Sequence, residues 1–399
     1  MRDLRVLVVH NRYQQRGGED IVVEREVALL RRFGHDVAVW IEDNARIDAA
    51  IDAVSRARLA AGAIWSRAAH AEVGRRAAAA RADVVHFHNT LPLISPAGYY
   101  AARGAGAAVV QTLHNYRLVC AAGTLLRDGR PCEDCAGHLP WPAVRHRCYR
   151  GSAAASATVA AMLVVHRAAR TWSRAVDAYI ALTEFVRDRV VAGGVPADRV
   201  VVKPNFVEAP PRRAAPERGA HALFVGRLSP EKGAATLVDA WRRLGDAAPR
   251  LIVVGDGPDA AALASRAAGL GIEWVGAQPR ERVAALMADA ALLIVPSLAY
   301  ESFGLVVVEA FAAGLPVVVS GIGSLATIVA DGVDGVHVPA GDPAALAAAI
   351  RALMADPDRR RRLGQAAHAS WQTRFTPERN YAQLVEVYAA ALARRPGSR

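Results

Sequence analysis

Two doubly wound α/β domains are the fold this sequence predicts, and three observations carry the prediction. Apolar runs of strand length alternate with longer helical segments through both halves of the chain. The alternation breaks once, in a stretch rich in proline and charge. The chain has 399 residues, which suits two domains better than one, and its apolar fraction of 53% allows a core in each.

The first half opens on a strand at residues 4–9, which ends at His10, and further apolar runs end at Ile41, His88, His114 and Thr183. Helical segments such as 20–33 and 152–172 lie between them. The first strand leads to Gly17-Gly18 ahead of a helix. Two glycines there suit a loop that approaches a phosphate, and equally a plain flexible turn. His88-Asn89 and His114-Asn115 fall at the carboxyl edge of the expected sheet, where ligands bind in open parallel sheets. They also fit strand termination by turn chemistry. Lys203 reads as a strand-end cation.

The break falls at 208–219, with Pro210, Pro211 and Pro216, and reads as an interdomain linker. The domains are then 1–207, with a cysteine-containing insertion at about 116–150, and 220–375. The segment 376–399 is expected to be a helix returning to the N-terminal domain. Strands in the second half are expected at 222–228, 251–254, 272–275, 292–295, 316–319 and 335–338, before a helical tail broken at Pro357, Pro377 and Pro396.

The formal net charge is +11, yet of 49 basic residues only Lys203 and Lys232 are lysines. An arginine and alanine excess of this kind reflects codon bias. No basic run is interleaved with aromatics, so nucleic acid is not an expected partner. A basic face for anionic lipid stays open, as peripheral membrane association. No uninterrupted apolar run reaches membrane length. No signal peptide is expected, which predicts a cytoplasmic protein, with the inner face of the membrane as a further location.

Three motifs carry chemistry. Residues 291–295 form a strand, followed by Glu301-Ser302-Phe303-Gly304-Leu305 and a helix containing Glu309 that closes near Gly314. Amide groups of Phe303, Gly304 and Leu305 at the helix start suit an anion. The carboxylates of Glu301 and Glu309 suit hydroxyl groups; the plainer alternative is a solvated surface pair. Gly226-Arg227 through Lys232-Gly233 places two cations before a helix whose dipole opposes them, which favours an anionic ligand. Gly255-x-Gly257-x-x-Ala260 matches a dinucleotide fingerprint and supports an oxidoreductase as a rival. However, it follows the second strand of its domain, and Glu273 begins the next strand instead of ending it.

Together these residues resemble the retaining glycosyltransferases of family 4, whose E-x-seven-E pattern is matched by Glu301 and Glu309. The resemblance covers nearly the whole chain. It implies the GT-B architecture, two facing Rossmann-like domains with the active site in the interdomain cleft. It also implies a nucleotide-diphosphate sugar as donor. Arg227 and Lys232 would hold the diphosphate beside Gly226 and Gly257. Glu309 would take the ribose, and Glu301 with Ser302 and the amides of Phe303, Gly304 and Leu305 would take the sugar. Gly17 and Gly18 would approach the phosphates from the first domain, and His114 would lie beside the reacting sugar. Glu301 and His114 are the expected catalytic residues. The implied reaction retains anomeric configuration, needs no catalytic cofactor, and uses a glycan or lipid-linked glycan acceptor. A non-hydrolysing nucleotide-sugar epimerase and a non-catalytic nucleotide-sugar sensor are the alternatives.

The four cysteines, Cys120, Cys132, Cys135 and Cys148, lie in one stretch rich in glycine and proline. The C-x-x-C spacing predicts a structural zinc ion that orders a segment expected to lack regular structure. Four free thiols are the alternative, and disulfides fit a reducing cytoplasm poorly.

Overall fold

The computed structural model describes residues 3–14, 17–47, 52–209, 219 and 221–395. Most of the expected linker, 210–218, and the break at Pro396 lie outside the described residues. The chain divides into two compact units. The first comprises Met1–Leu125, Glu133–Pro204 and Asn380–Arg399; the second comprises Asn205–Arg379 together with Leu126–Cys132.

The first unit is built on strands β1 (Arg5–Arg12), β2 (Asp36–Asp43), β3 (Val84–Phe87) and β4 (Ala108–Leu113). A short antiparallel hairpin follows, β5 (Leu126–Arg127) and β6 (Arg130–Pro131), itself grouped with the second unit. The main sheet then resumes with β7 (Ala178–Ala181) and β8 (Val200–Val202). Its order is β2-β1-β3-β4-β7-β8, with every pairing parallel. Every residue of β3, β4 and β7 is buried, which is why these strands read as unbroken apolar runs. One face packs Val6, Val8, Val84, Val110 and Ile180 against Leu384, Val387, Tyr388 and Ala391 of the last helix, Pro377–Ala393.

The second unit carries β9 (His221–Val225), β10 (Leu251–Val254), β11 (Ile272–Trp274), β12 (Ala290–Val295), β13 (Val317–Ser320) and β14 (Gly335–Val338). They form a parallel sheet in the order β11-β10-β9-β12-β13-β14. The helix Ala234–Leu244 buries Leu237, Val238, Trp241 and Leu244, one apolar stripe at helical spacing, into the core below this sheet. In each sheet the winding reverses once, between β1 and β3 and between β9 and β12. Ligands of doubly wound sheets bind at such reversals, outside the carboxyl ends of the strands.

Several boundaries differ from expectation for local reasons. The first helix starts at Gly18 because the Asp20 carboxylate accepts from the Gly17 amide at 2.8 Å. The helix expected over 152–172 stops at Ala168, and Arg170 takes a left-handed conformation before the short helix Thr171–Arg174. The helix expected to open near Phe303 opens at Leu305, since its N-cap Gly304 has φ +93°. The cysteine-rich insertion has more regular structure than expected, with the β5–β6 hairpin and a helix at Trp141–Arg145. Among the described residues no helix is long and apolar enough to cross a membrane.

Candidate functional site

In the second unit, the loops after β9 and β12 meet at the winding reversal. Lys232 Nζ donates to Glu301 Oε1 at 2.7 Å, and the buried Ser297 hydroxyl donates to the same oxygen at 2.7 Å. Burial alone would raise the Glu301 carboxyl, but Lys232 and Ser297 outweigh it and hold it below the usual carboxylate range. Burial would lower the Lys232 ammonium, and Glu301 outweighs it in turn. Both groups are therefore charged at neutral pH. The loops can approach this closely because Gly233 sits at φ +71°, where a Cβ would collide with the Pro296 carbonyl.

The other predicted residues of this unit fall around that pair. Arg227 is exposed at the start of the loop after β9, where its guanidinium can reach an anion. Glu309 is half-buried on the helix Leu305–Ala312, and burial pushes its carboxyl up to about 7, against the pull of Arg280. The Phe303 ring is buried against Phe375, centroids 6.1 Å apart, so this residue offers a ligand only its backbone. Ser302 accepts a hydrogen bond from Ser324 Oγ at its carbonyl, 3.2 Å away. Gly257 serves packing: a Cβ there would strike the Leu228 carbonyl, so the fingerprint glycine seats the β10 loop on the β9 loop. Gly226, after β9, receives a similar close approach from Gly255.

In the first unit, Gly17 and Gly18 open the first helix with free space where a Cβ would be. His114 follows β4 and is buried, and it lines a narrow cavity with His88, Asn89, Tyr99, Gln111 and Arg117. Its Nε2 lies 2.9 Å from His88 Nδ1. Burial, reinforced by His88, pushes its imidazole well below the ordinary value, so it is neutral at physiological pH.

The four cysteines expected to hold zinc lie apart in this structure. Cys135 is buried, the other three are half-buried, and none of the four is in a disulfide. Among the described residues, the set of three or more metal-capable side chains with ligand atoms within 4.8 Å of one another is Glu26, His86 and His88. No three of the cysteines form such a set, so the residues do not assemble the expected tetrahedral site. The segment is instead tied by protein contacts, such as Arg189 to Glu133 at 2.6 Å and Arg167 to the His138 carbonyl at 2.6 Å.

Sequence reasoning missed Ser297, which carries no signal beyond its place after a buried strand. It also took Lys203 for a strand-end cation. Lys203 is fully buried and bonded to Glu26, and its only sequence signal is that lysine is nearly absent from this chain.

Comparison with known proteins fits this geometry. The chain belongs to the glycosyltransferases, with residues 17–205 matching the glycosyl transferase 4-like domain and residues 207–370 matching the glycosyl transferases group 1 family. A D-inositol 3-phosphate glycosyltransferase of Nocardia farcinica is 36% identical over 243 residues, 54% of this chain and 53% of that protein. A phosphatidyl-myo-inositol mannosyltransferase of Mycobacterium leprae is 35% identical over 230 residues, 55% of this chain and 60% of that one. The matched region thus spans about half the length of these curated relatives. Among solved structures, Anabaena Alr3699/HepE in complex with UDP and glucose aligns with a TM-score of 0.69 at 18% identity, covering 97% of this chain and 99% of that one. Sucrose-phosphate synthase from Thermosynechococcus elongatus aligns with a TM-score of 0.71 at 20% identity, covering 98% of this chain and all of that one. The fold is GT-B.

Proposed function

We propose that this protein transfers a sugar from a nucleotide-diphosphate sugar to a glycan or lipid-linked glycan. The observation that carries this is the Lys232–Glu301–Ser297 cluster at the β9/β12 winding reversal. A fixed ammonium there suits a leaving diphosphate, and a carboxylate beside it suits sugar hydroxyls. Glu309, one helix turn deeper, suits the ribose. The donor is held by the second unit, and the acceptor is taken by the first, at the cavity of His114. The naming of the relatives as glycosyltransferases and the UDP and glucose bound by the Anabaena protein support this reading. Arg227 and Lys232 supply the positive charge that stabilises the departing diphosphate. The diphosphate then helps to deprotonate the acceptor on the same face, so configuration is retained.

A thermal-shift screen of nucleotide sugars, followed by assay of nucleotide-diphosphate release, tests the assignment. A sensor would be stabilised without releasing nucleotide, and an epimerase would change the sugar without transferring it.

The acceptor side has a feature that suits a membrane-borne substrate. Between Asp134 and Asp177 the chain has no carboxylate and six arginines. Leu139 and Trp141, in the same stretch, are 69% and 59% exposed, with Arg145 stacked 6.0 Å from the Trp141 ring centroid. An apolar tip within an acid-free basic stretch fits the surface of an anionic bilayer. Sedimentation with phosphatidylglycerol vesicles, lost on neutral vesicles and in a Trp141→Ala variant, is the expected result. Equal binding to both vesicle types would refute it.

A further inference from the structure

Behind His114 runs a buried chain of polar side chains, all in the first unit, that the proposed chemistry leaves unexplained. Lys203 Nζ donates to Glu26 Oε2 at 3.0 Å and to Asn380 Oδ1 at 3.1 Å. The other carboxylate oxygen, Glu26 Oε1, lies 3.1 Å from His86 Nδ1 and 3.3 Å from His88 Nε2. His88 Nδ1 in turn meets His114 Nε2 at 2.9 Å. His86 is also fixed by the hydroxyls of Tyr388 and Thr112, each at 2.8 Å. Glu26 Oε1 and His88 Nε2 are off-line for a straight hydrogen bond, yet both are buried, and no straight hydrogen bond reaches either.

Although Glu26, His86 and His88 stand close enough to hold a metal, Lys203 already supplies the positive charge that Glu26 requires. Burial would raise the Glu26 carboxyl, but Lys203 and then His86 hold it well below its ordinary value, so it is ionised. Burial pushes His88 down to about 3, so this imidazole is neutral.

These charge states and contacts favour one arrangement of protons. An ionised carboxylate only accepts, and a neutral imidazole has one donor and one acceptor. His88 therefore turns its Nε2–H toward Glu26, and its Nδ1 must accept. His114 must then donate from Nε2, which leaves Nδ1 as its acceptor atom.

We propose that Glu26 is a positioning residue that acts through His88 to lock His114 in the Nε2–H form, so that His114 Nδ1 accepts a hydrogen bond from a sugar hydroxyl. Lys203 and Asn380 hold Glu26 in place for this task. The inference rests on the proposed placement of His114 beside the reacting sugars.

The test is nitrogen NMR of the imidazoles in protein carrying ¹⁵N-histidine, with His114→Ala and His88→Ala assigning the signals. The expected result is a protonated Nε2 and an unprotonated Nδ1 on His114. In Glu26→Gln, the amide oxygen should face Lys203 and the amide nitrogen should replace Oε1. The amide then donates to His88 Nε2, and the tautomers of both histidines should invert. A Nδ1–H form of His114 in the unaltered protein overturns the proposal, whether or not Glu26→Gln folds. Unchanged tautomers in a folded Glu26→Gln protein overturn it as well. The placement of His114 is tested separately, by its ring nitrogen shifts on addition of UDP-glucose and by turnover of His114→Ala. Unmoved shifts, with undiminished turnover in that variant, would remove His114 from the sugar while the tautomer result stood on its own.

Discussion

Replacing Lys232 by alanine should weaken nucleotide-diphosphate binding more than any other single truncation in the second unit. The Lys232 and Glu301 side chains are 31% and 17% exposed, so their 2.7 Å pair is largely shielded from water. A charge-assisted contact in such a setting contributes about 1.5–3 kcal/mol. At 1.4 kcal/mol per tenfold, that is roughly a 10- to 150-fold rise in the Kd for UDP. The variant also strips Glu301 of its ammonium partner, leaving Ser297 as the remaining donor and nothing to screen the carboxylate from the phosphates. Glu301→Ala, in contrast, frees Lys232 and should leave UDP affinity equal or stronger while weakening the intact sugar donor. The double variant should recover part of the affinity lost by Lys232→Ala alone, because the unscreened carboxylate is gone. Titration calorimetry with UDP on the three variants reads all of this. Turnover should fall further in Lys232→Ala, by about 2–4 kcal/mol, since the charge on the diphosphate grows as it leaves. A folded Lys232→Ala protein with UDP affinity within about twofold of the unaltered chain would refute the reasoning. So would Glu301→Ala losing as much UDP affinity as Lys232→Ala.

Glu309 links stability to pH. Its carboxyl is raised by burial from 4.5 to about 7, so stability is fully present below 4.5 and is lost as pH climbs toward 7, where the unfolded chain ionises first. Glu309→Gln should therefore melt higher than the unaltered protein at pH 8, with the gap closing by pH 4.5; thermal melts across that range check the sign. Gly233→Ala, forced against the Pro296 carbonyl at φ +71°, should cost roughly 1–3 kcal/mol of stability, and an unchanged Tm would show that the β9 and β12 loops can separate freely. For the cysteines, elemental analysis of protein purified without added metal should find zinc well below one equivalent and no loss of Tm in chelator. A full equivalent would show that the thiols gather around an ion after all.

The parts of this molecule that sequence reveals are those whose physics is local. β3, β4 and β12 are buried on both faces, so their apolar runs are unbroken and their ends are easy to place. Glu301 and Glu309 stand one loop and one helix apart, and their spacing was legible for that reason. The ion pair of Lys203 with Glu26 was not, because its partners are 177 residues apart and neither belongs to a local pattern. The insertion misled in the opposite direction. Glycine and proline content suggests a segment without regular structure, whereas it holds a hairpin, a short helix and arginine contacts. Gly257 reads as a ligand contact or a packing glycine alike, because close backbone approach and ligand approach demand the same residue.

The last helix has a consequence for how the chain is made. The second unit is drawn mainly from one continuous run, Asn205–Arg379, and can complete its sheet as soon as that run has left the ribosome. The first unit is not so favoured, although most of its residues precede that run. Its sheet lacks Leu384, Val387, Tyr388 and Ala391 until that helix has emerged, and Lys203 lacks Asn380 for as long. During synthesis, the half made first therefore waits with an apolar face and a buried-type charge pair unsealed. A released chain truncated before residue 380 should be a chaperone client through its first half, with its second half folded.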